Sequence, residues 1–131
     1  MDEELNQKFR VYEKEIRQIQ EQMGAIDQAT VDLGRISLGL DDLKGKKNSD
    51  ILAPVGRGIF IPSKLSSDEL IVDVGDGNFI KKTISEAKNM IKDQIDKLDS
   101  MRKDLEAELE KIGKDITKTM AESQRKNAEK K

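Results

Sequence analysis

Cysteine, histidine and tryptophan are missing from this chain, proline occurs only twice, and aromatic residues make up 3% of its 131 positions. Without cysteine there is no disulfide framework and no thiolate metal site. Without histidine the commonest general base and the commonest metal ligand are gone, so catalysis and metal binding lose their usual equipment. No apolar run approaches membrane-spanning length, and the start (Asp2, Glu3, Glu4) is acidic where a secretory leader is basic and then apolar. A formal net charge of −2 gives no overall attraction to nucleic acid or to an anionic membrane. These absences predict a cytoplasmic, non-enzymatic chain with no cofactor, no metal, no nucleic acid and no membrane among its partners. With 38% charged residues the chain has little to bury alone, yet its apolar residues recur too regularly for disorder.

What is present is organised around the middle. Between Asp50 and Thr83 three turn signals, Gly56-Arg57-Gly58, Ser66-Ser67-Asp68 and Gly75-Asp76-Gly77, separate short runs rich in Ile, Val and Phe. The pattern predicts four strands, near 51–55, 59–65, 69–74 and 78–82, paired as two hairpins. The third alternates most cleanly, with Leu70, Val72 and Val74 on one face. Pro54 and Pro62 each remove a ladder donor and so belong at an edge or a bulge.

On both sides of this insert the apolar spacing switches to heptads. Phe9, Ile16, Met23, Thr30 and Ser37 hold one position of a first helix, and Leu5, Tyr12, Ile19, Ile26, Leu33 and Leu40 hold the other. This helix is expected over 5–44, stopped by Gly45, and at about 1.5 Å per residue it would be roughly 58 Å long. Thr83 followed by Glu86 is a capping-box pattern that opens a second helix, expected over 83–123. Its seam is Ile84, Ile91, Leu98, Leu105, Ile112 and Thr119 on one line and Lys88, Ile95, Arg102, Leu109 and Ile116 on the other. Residues 124–131 read as a frayed polar tail. If the helices fold back antiparallel, Phe9 meets Ile116, Tyr12 meets Ile112, Ile19 meets Leu105, Met23 meets Arg102 and Ser37 meets Lys88, in one constant register. Off the seam, Ala29, Val31, Ile36 and Leu38 broaden the first helix's apolar face, which predicts another element packed there.

The fold class is therefore α+β: a long antiparallel two-helix coiled coil with two β-hairpins inserted between the helices. Four short strands cannot close a barrel, and open edges invite a second chain. The expectation is an intersubunit β-barrel, with oligomerisation carried by Ile51, Val55, Ile59, Phe60, Ile61, Leu70, Val72, Val74, Phe79 and Ile80.

Helix, two glycine-turned hairpins and helix, with DILAPVGRGIFIPSKL followed by ELIVDVGDGNFIKKTISEA, closely resembles the alpha-type subunit of archaeal prefoldin. The likeness runs from Leu5 to about Ala121 and is most specific from Ile51 to Ala87. It implies a single protomer within a hexamer of two alpha and four beta-type subunits, whose two β-barrels carry six coiled-coil arms. It also implies that the arm ends hold unfolded client proteins and pass them to a group II chaperonin without ATP. On the residues of this chain those ends are Leu5, Phe9, Val11, Tyr12, Ile112, Ile116 and Met120.

Gly75-Asp76-Gly77 is a turn, since the strand–loop–helix context of a phosphate cradle is missing. Gly56-Arg57-Gly58 is likewise a turn, a single copy of an RNA-binding tripeptide carrying little weight between strands. Carboxylate pairs such as Asp41/Asp42 and Glu106/Glu110 read as solvated faces. The tip residues on the seam also read as ordinary coiled-coil layers. Two functional classes remain: a holdase presenting apolar arm ends, and a structural tether or scaffold built on the shared barrel. The arm ends separate them, because a holdase tolerates any apolar replacement there and a tether depends on particular side chains.

Overall fold

The computed structural model describes residues 3–129. Its order is α1 (Glu3–Asp42), β1 (Asp50–Gly56), β2 (Ile59–Lys64), β3 (Glu69–Asp73), β4 (Phe79–Thr83) and α2 (Ile84–Glu129). The strands form two separate two-stranded antiparallel sheets, β1 with β2 and β3 with β4. No described helix is long and apolar enough to cross a membrane.

The elements start and stop where local chemistry says they should, with one exception. α1 ends in turns at Leu43–Gly45, where Gly45 adopts φ +71°, a region that costs a side chain strain and glycine nothing. The β3–β4 turn closes through Val74 N–H to the Asn78 carbonyl (2.9 Å) and Asn78 N–H to the Gly75 carbonyl (2.9 Å). Asp73 Oδ1 accepts the Gly75 N–H at 2.9 Å, an Asx-type bond that braces the same turn. The exception is the end of α2, which continues to Glu129 instead of fading near Ser123. The residues beyond Ser123 are Gln, Arg, Lys, Asn, Ala and Glu without Gly or Pro, and most of these are good helix formers. The last two residues of the expected polar tail lie outside the described residues.

Thr83 and Glu86 form the capping box in full. Thr83 N–H donates to Glu86 Oε1 at 3.2 Å and Glu86 N–H donates to Thr83 Oγ1 at 3.1 Å. The donations from Thr83 hold the Glu86 carboxyl below its ordinary value of 4.5, Lys82 assisting. Thr83→Ala should lower stability by about 1 kcal/mol, read as the melting temperature of the helical circular-dichroism signal. Glu86 adds an acid limb to that curve. Its folded carboxyl titrates below its unfolded one, so its contribution is complete above pH 4.5 and is lost as pH falls through the folded value. A Glu86→Gln chain keeps the reciprocal bonds and should lack that limb.

The chain divides into two units, Met1–Ala29 with Lys97–Lys131, and Thr30–Asp96. In the first, Ile19, Ile26 and Ile112 are buried, all on the expected seam. Across the helices Arg102 Nε donates to Asp27 Oδ1 at 2.8 Å, while Arg102 Nη1 bonds Glu106 on its own helix. Those donations pull Asp27 below the usual carboxylate range and raise Arg102 in return. Tyr12 and Thr119 approach through their hydroxyls at 3.4 Å.

In the second unit Ile84, Ala87 and Ile91 are buried, and Lys88 Nζ donates to Asp41 Oδ1 at 2.5 Å, which lowers the Asp41 pKa with help from Lys44. The antiparallel pairing is as expected. Arg102 reaches Asp27 and Lys88 reaches Asp41, so each cation in the seam has a carboxylate on α1. Val31, Ile36 and Leu38 were expected to be packed over, yet Leu38 is 69% exposed and the other two about half, so this chain's own strands do not cover them.

Candidate functional site: two apolar surfaces

Two sets of residues present apolar surface, one in each unit. The first lies at the N-terminal end of α1 and the C-terminal end of α2. Phe9 and Tyr12 stack at 6.4 Å with their rings tilted by 59°. Leu5, Phe9, Tyr12 and Ile116 are half-buried along the seam and Ile112 is buried, whereas Val11 (53% exposed) and Met120 (50%) face outward. Of the seven expected client-binding residues, then, five face the partner helix and two are open.

The arrangement around them is loose. Val11 and Tyr12 share a shallow surface with Glu4, Gln7 and Lys8, and Ala121 shares one with Glu110, Gly113, Lys114, Thr117 and Lys118. Thr117 Oγ1 donates back to the Gly113 carbonyl at 3.0 Å, a local bond that competes with the helix ladder beside its weakest residue. Such an end can present apolar, polar and charged groups in turn.

The second surface is the strands. Val55, Ile59, Phe60, Ile61, Val74, Phe79 and Ile80 are exposed, and Ile51, Leu70 and Val72 are half-buried. All ten expected oligomerisation residues therefore carry open apolar area in the single chain. Sequence reasoning passed over Leu52 (65% exposed) and Ile71 (72%), because alternation assigned them to the opposite faces of their strands. The signal was available: Ile71 lies between Leu70 and Val72 and Leu52 directly follows Ile51, and a sheet apolar on both faces needs cover on both.

The ladders bury none of this. β1 pairs β2 from Asp50↔Lys64 to Pro54↔Phe60, with a bulge before Gly56, and β3 pairs β4 from Glu69↔Thr83 to Asp73↔Phe79. An isolated two-stranded sheet is marginal in water, and these four strands keep apolar faces and free edges.

Comparison with known proteins agrees with that reading. The family model "Prefoldin subunit" matches residues 12–129. The chain is 33% identical over 89 residues to prefoldin subunit alpha of Methanobrevibacter smithii, covering 67% of this chain and 61% of that one. It is 34% identical over 80 residues to prefoldin subunit 5 of Arabidopsis thaliana, covering 57% and 51%. Among solved structures, filamentous PFD from Methanocaldococcus jannaschii superposes with a TM-score of 0.81 at 27% identity, covering 89% of this chain and 98% of that one. The matches thus span about half to three fifths of the length of these two curated relatives.

Helix pair, open strands and sequence point the same way, and the chain belongs to the prefoldin family. Its relatives include several archaeal alpha subunits, and its two hairpins give it the alpha-type layout.

Proposed function

We propose that this chain is a subunit of an ATP-independent cytoplasmic holdase. It assembles with beta-type prefoldin subunits, two alpha with four beta, through β-barrels completed between subunits. Its helix pair is one arm, whose terminal end holds unfolded clients for delivery to a group II chaperonin. The observation that carries this reading is the contrast within the first unit: a seam that buries Ile19, Ile26 and Ile112, ending in Val11 and Met120 with nothing over them.

The physics needs no catalytic group. Each exposed apolar side chain offers about 1–3 kcal/mol on burial, too little to hold a client alone, and several arms on one body convert such contacts into avidity. Methionine and aromatic side chains adapt to unlike partners, which suits clients without a common sequence. The charged remainder of the helices keeps a loaded complex in solution.

The test is size measurement of the chain alone and with a beta-type subunit, followed by suppression of the aggregation of a heat-unfolded protein. Val11→Ser with Met120→Ser on every alpha arm should leave assembly unchanged and weaken protection. Val11→Leu with Met120→Leu should keep it. If the Leu variants lose function as fully as the Ser variants, the ends read particular side chains and the chain is a tether or scaffold.

A further inference from the structure

α2 places two cations in the apolar seam, and α1 answers each with a carboxylate. Lys88 Nζ lies 2.5 Å from Asp41 Oδ1, and Arg102 Nε lies 2.8 Å from Asp27 Oδ1. In both pairs the cation is the more covered partner: Lys88 is 29% exposed against 40% for Asp41, and Arg102 is 35% exposed against 54% for Asp27. Their stems pack along the seam while the charged heads turn out to the carboxylates. Leucine at either place would remove more apolar area from water, so stability does not explain these two residues.

The apolar layers alone do not fix how the helices are matched. Moving one helix by a heptad returns leucine or isoleucine to nearly every place on the seam. Ile19, expected opposite Leu105, would meet Leu98 or Ile112, and Ile26, expected opposite Leu98, would meet Ile91 or Leu105. The ion pairs do not survive that move. Arg102 would stand beside Gln20 or Gly34, and Lys88 beside Gly34 or beside Asn48, which lies past the end of α1 at Asp42. The other bonds of these groups, Arg102 to Glu106 and Asp41 to Lys44, run within one stretch of chain and travel with it. The carboxylates at 27 and 41 and the cations at 88 and 102 are each two heptads apart, so a single match satisfies both.

We propose that Asp27–Arg102 and Asp41–Lys88 are register pins. They select one match between α1 and α2 out of several that the apolar seam accepts, and they do so at a cost in stability. Every match shifted by a heptad leaves a seam cation without its carboxylate on the opposite helix. The pin in the first unit also decides which groups meet at the terminal end. A slip of one heptad carries α1 about 10 Å along α2. It would part Tyr12 from Thr119, whose hydroxyls approach at 3.4 Å.

The chain has no cysteine, so introduced pairs report the register without background. With Ile19→Cys in place, Leu105→Cys should close a disulfide within one full-length chain, and Leu98→Cys or Ile112→Cys should not. Lys88→Leu with Arg102→Leu should raise the melting temperature of the helical signal. The same change should raise closure at a slipped pair, relative to closure at 19 and 105, by about tenfold. Asp27→Ala with Asp41→Ala should relax the register likewise, without the gain in melting temperature. Exchanging the charges, with Asp27→Arg and Arg102→Asp beside Asp41→Lys and Lys88→Asp, should restore closure at 19 and 105 alone. If the leucine variant loses its helical signal, the alanine variant decides by the same ratio. Leucine or alanine variants that still close only at 19 and 105 overturn the proposal, because packing and the hairpin tether then set the register unaided. A leucine variant that melts lower, or exchanged charges that fail to restore selectivity, overturns it as well.

Discussion

Deleting residues 1–12 together with 113–131 from every arm of the mixed assembly should leave its size unchanged and abolish protection of unfolded clients. The strands lie in the unit Thr30–Asp96, and none of the deleted residues belongs to it. What the deletion removes is Val11 and Met120, the Phe9–Tyr12 ring pair and the helix end around Gly113. Helix ends with so little to pack against are marginal in water, because a short helix gains its stability from tertiary burial and not from propensity. Such ends should expose apolar surface part of the time, and the proposed client binding would use that surface. The check is light scattering for assembly beside an aggregation-suppression assay on the same preparation. An assembly trimmed on all arms that still protects fully would move client binding to the flanks of the coils. Exposed Val31, Ile36, Leu38 and Met101 are apolar residues those flanks offer.

Val72→Asp should break the assembly into smaller species while the helical signal persists. Val72 stands opposite Ile80 in the β3–β4 ladder and shares a face with Leu70, and both Val72 and Leu70 are half-buried before any neighbour arrives. If neighbouring strands complete a barrel over that face, a carboxylate there is desolvated without a partner, at a cost of several kcal/mol unless it takes up a proton. The effect should therefore be strong at neutral pH and partly relieved in acid, where the side chain enters uncharged. Size-exclusion chromatography with light scattering at both pH values decides it. A mutant that assembles like the parent at neutral pH would place Val72 outside the closed face.

Much of this molecule was legible in its sequence, because local rules dominate where a chain is mostly helix and tight turn. The heptads fixed two helices and which side of each is buried: Ile19, Ile26, Ile84, Ile91 and Ile112 are all seam residues. Glycine at Gly58, Gly75 and Gly77 set the hairpin turns by taking positive φ, and Thr83 with Glu86 set the start of α2 to the residue. The ten strand residues expected to carry oligomerisation are open or half-open in the single chain, because two hairpins have no second layer to hide them.

What only the tertiary structure decided is relational. Arg102 reaches Asp27 and Lys88 reaches Asp41, contacts that a heptad repeat cannot weigh. Leu52 and Ile71 join the exposed surface because both faces of a two-stranded sheet are free. Which edges remain able to pair depends on ladder parity, a property of two strands held together: shift either by one residue and one of Pro54 and Pro62 would lie inside the ladder instead of on its rim.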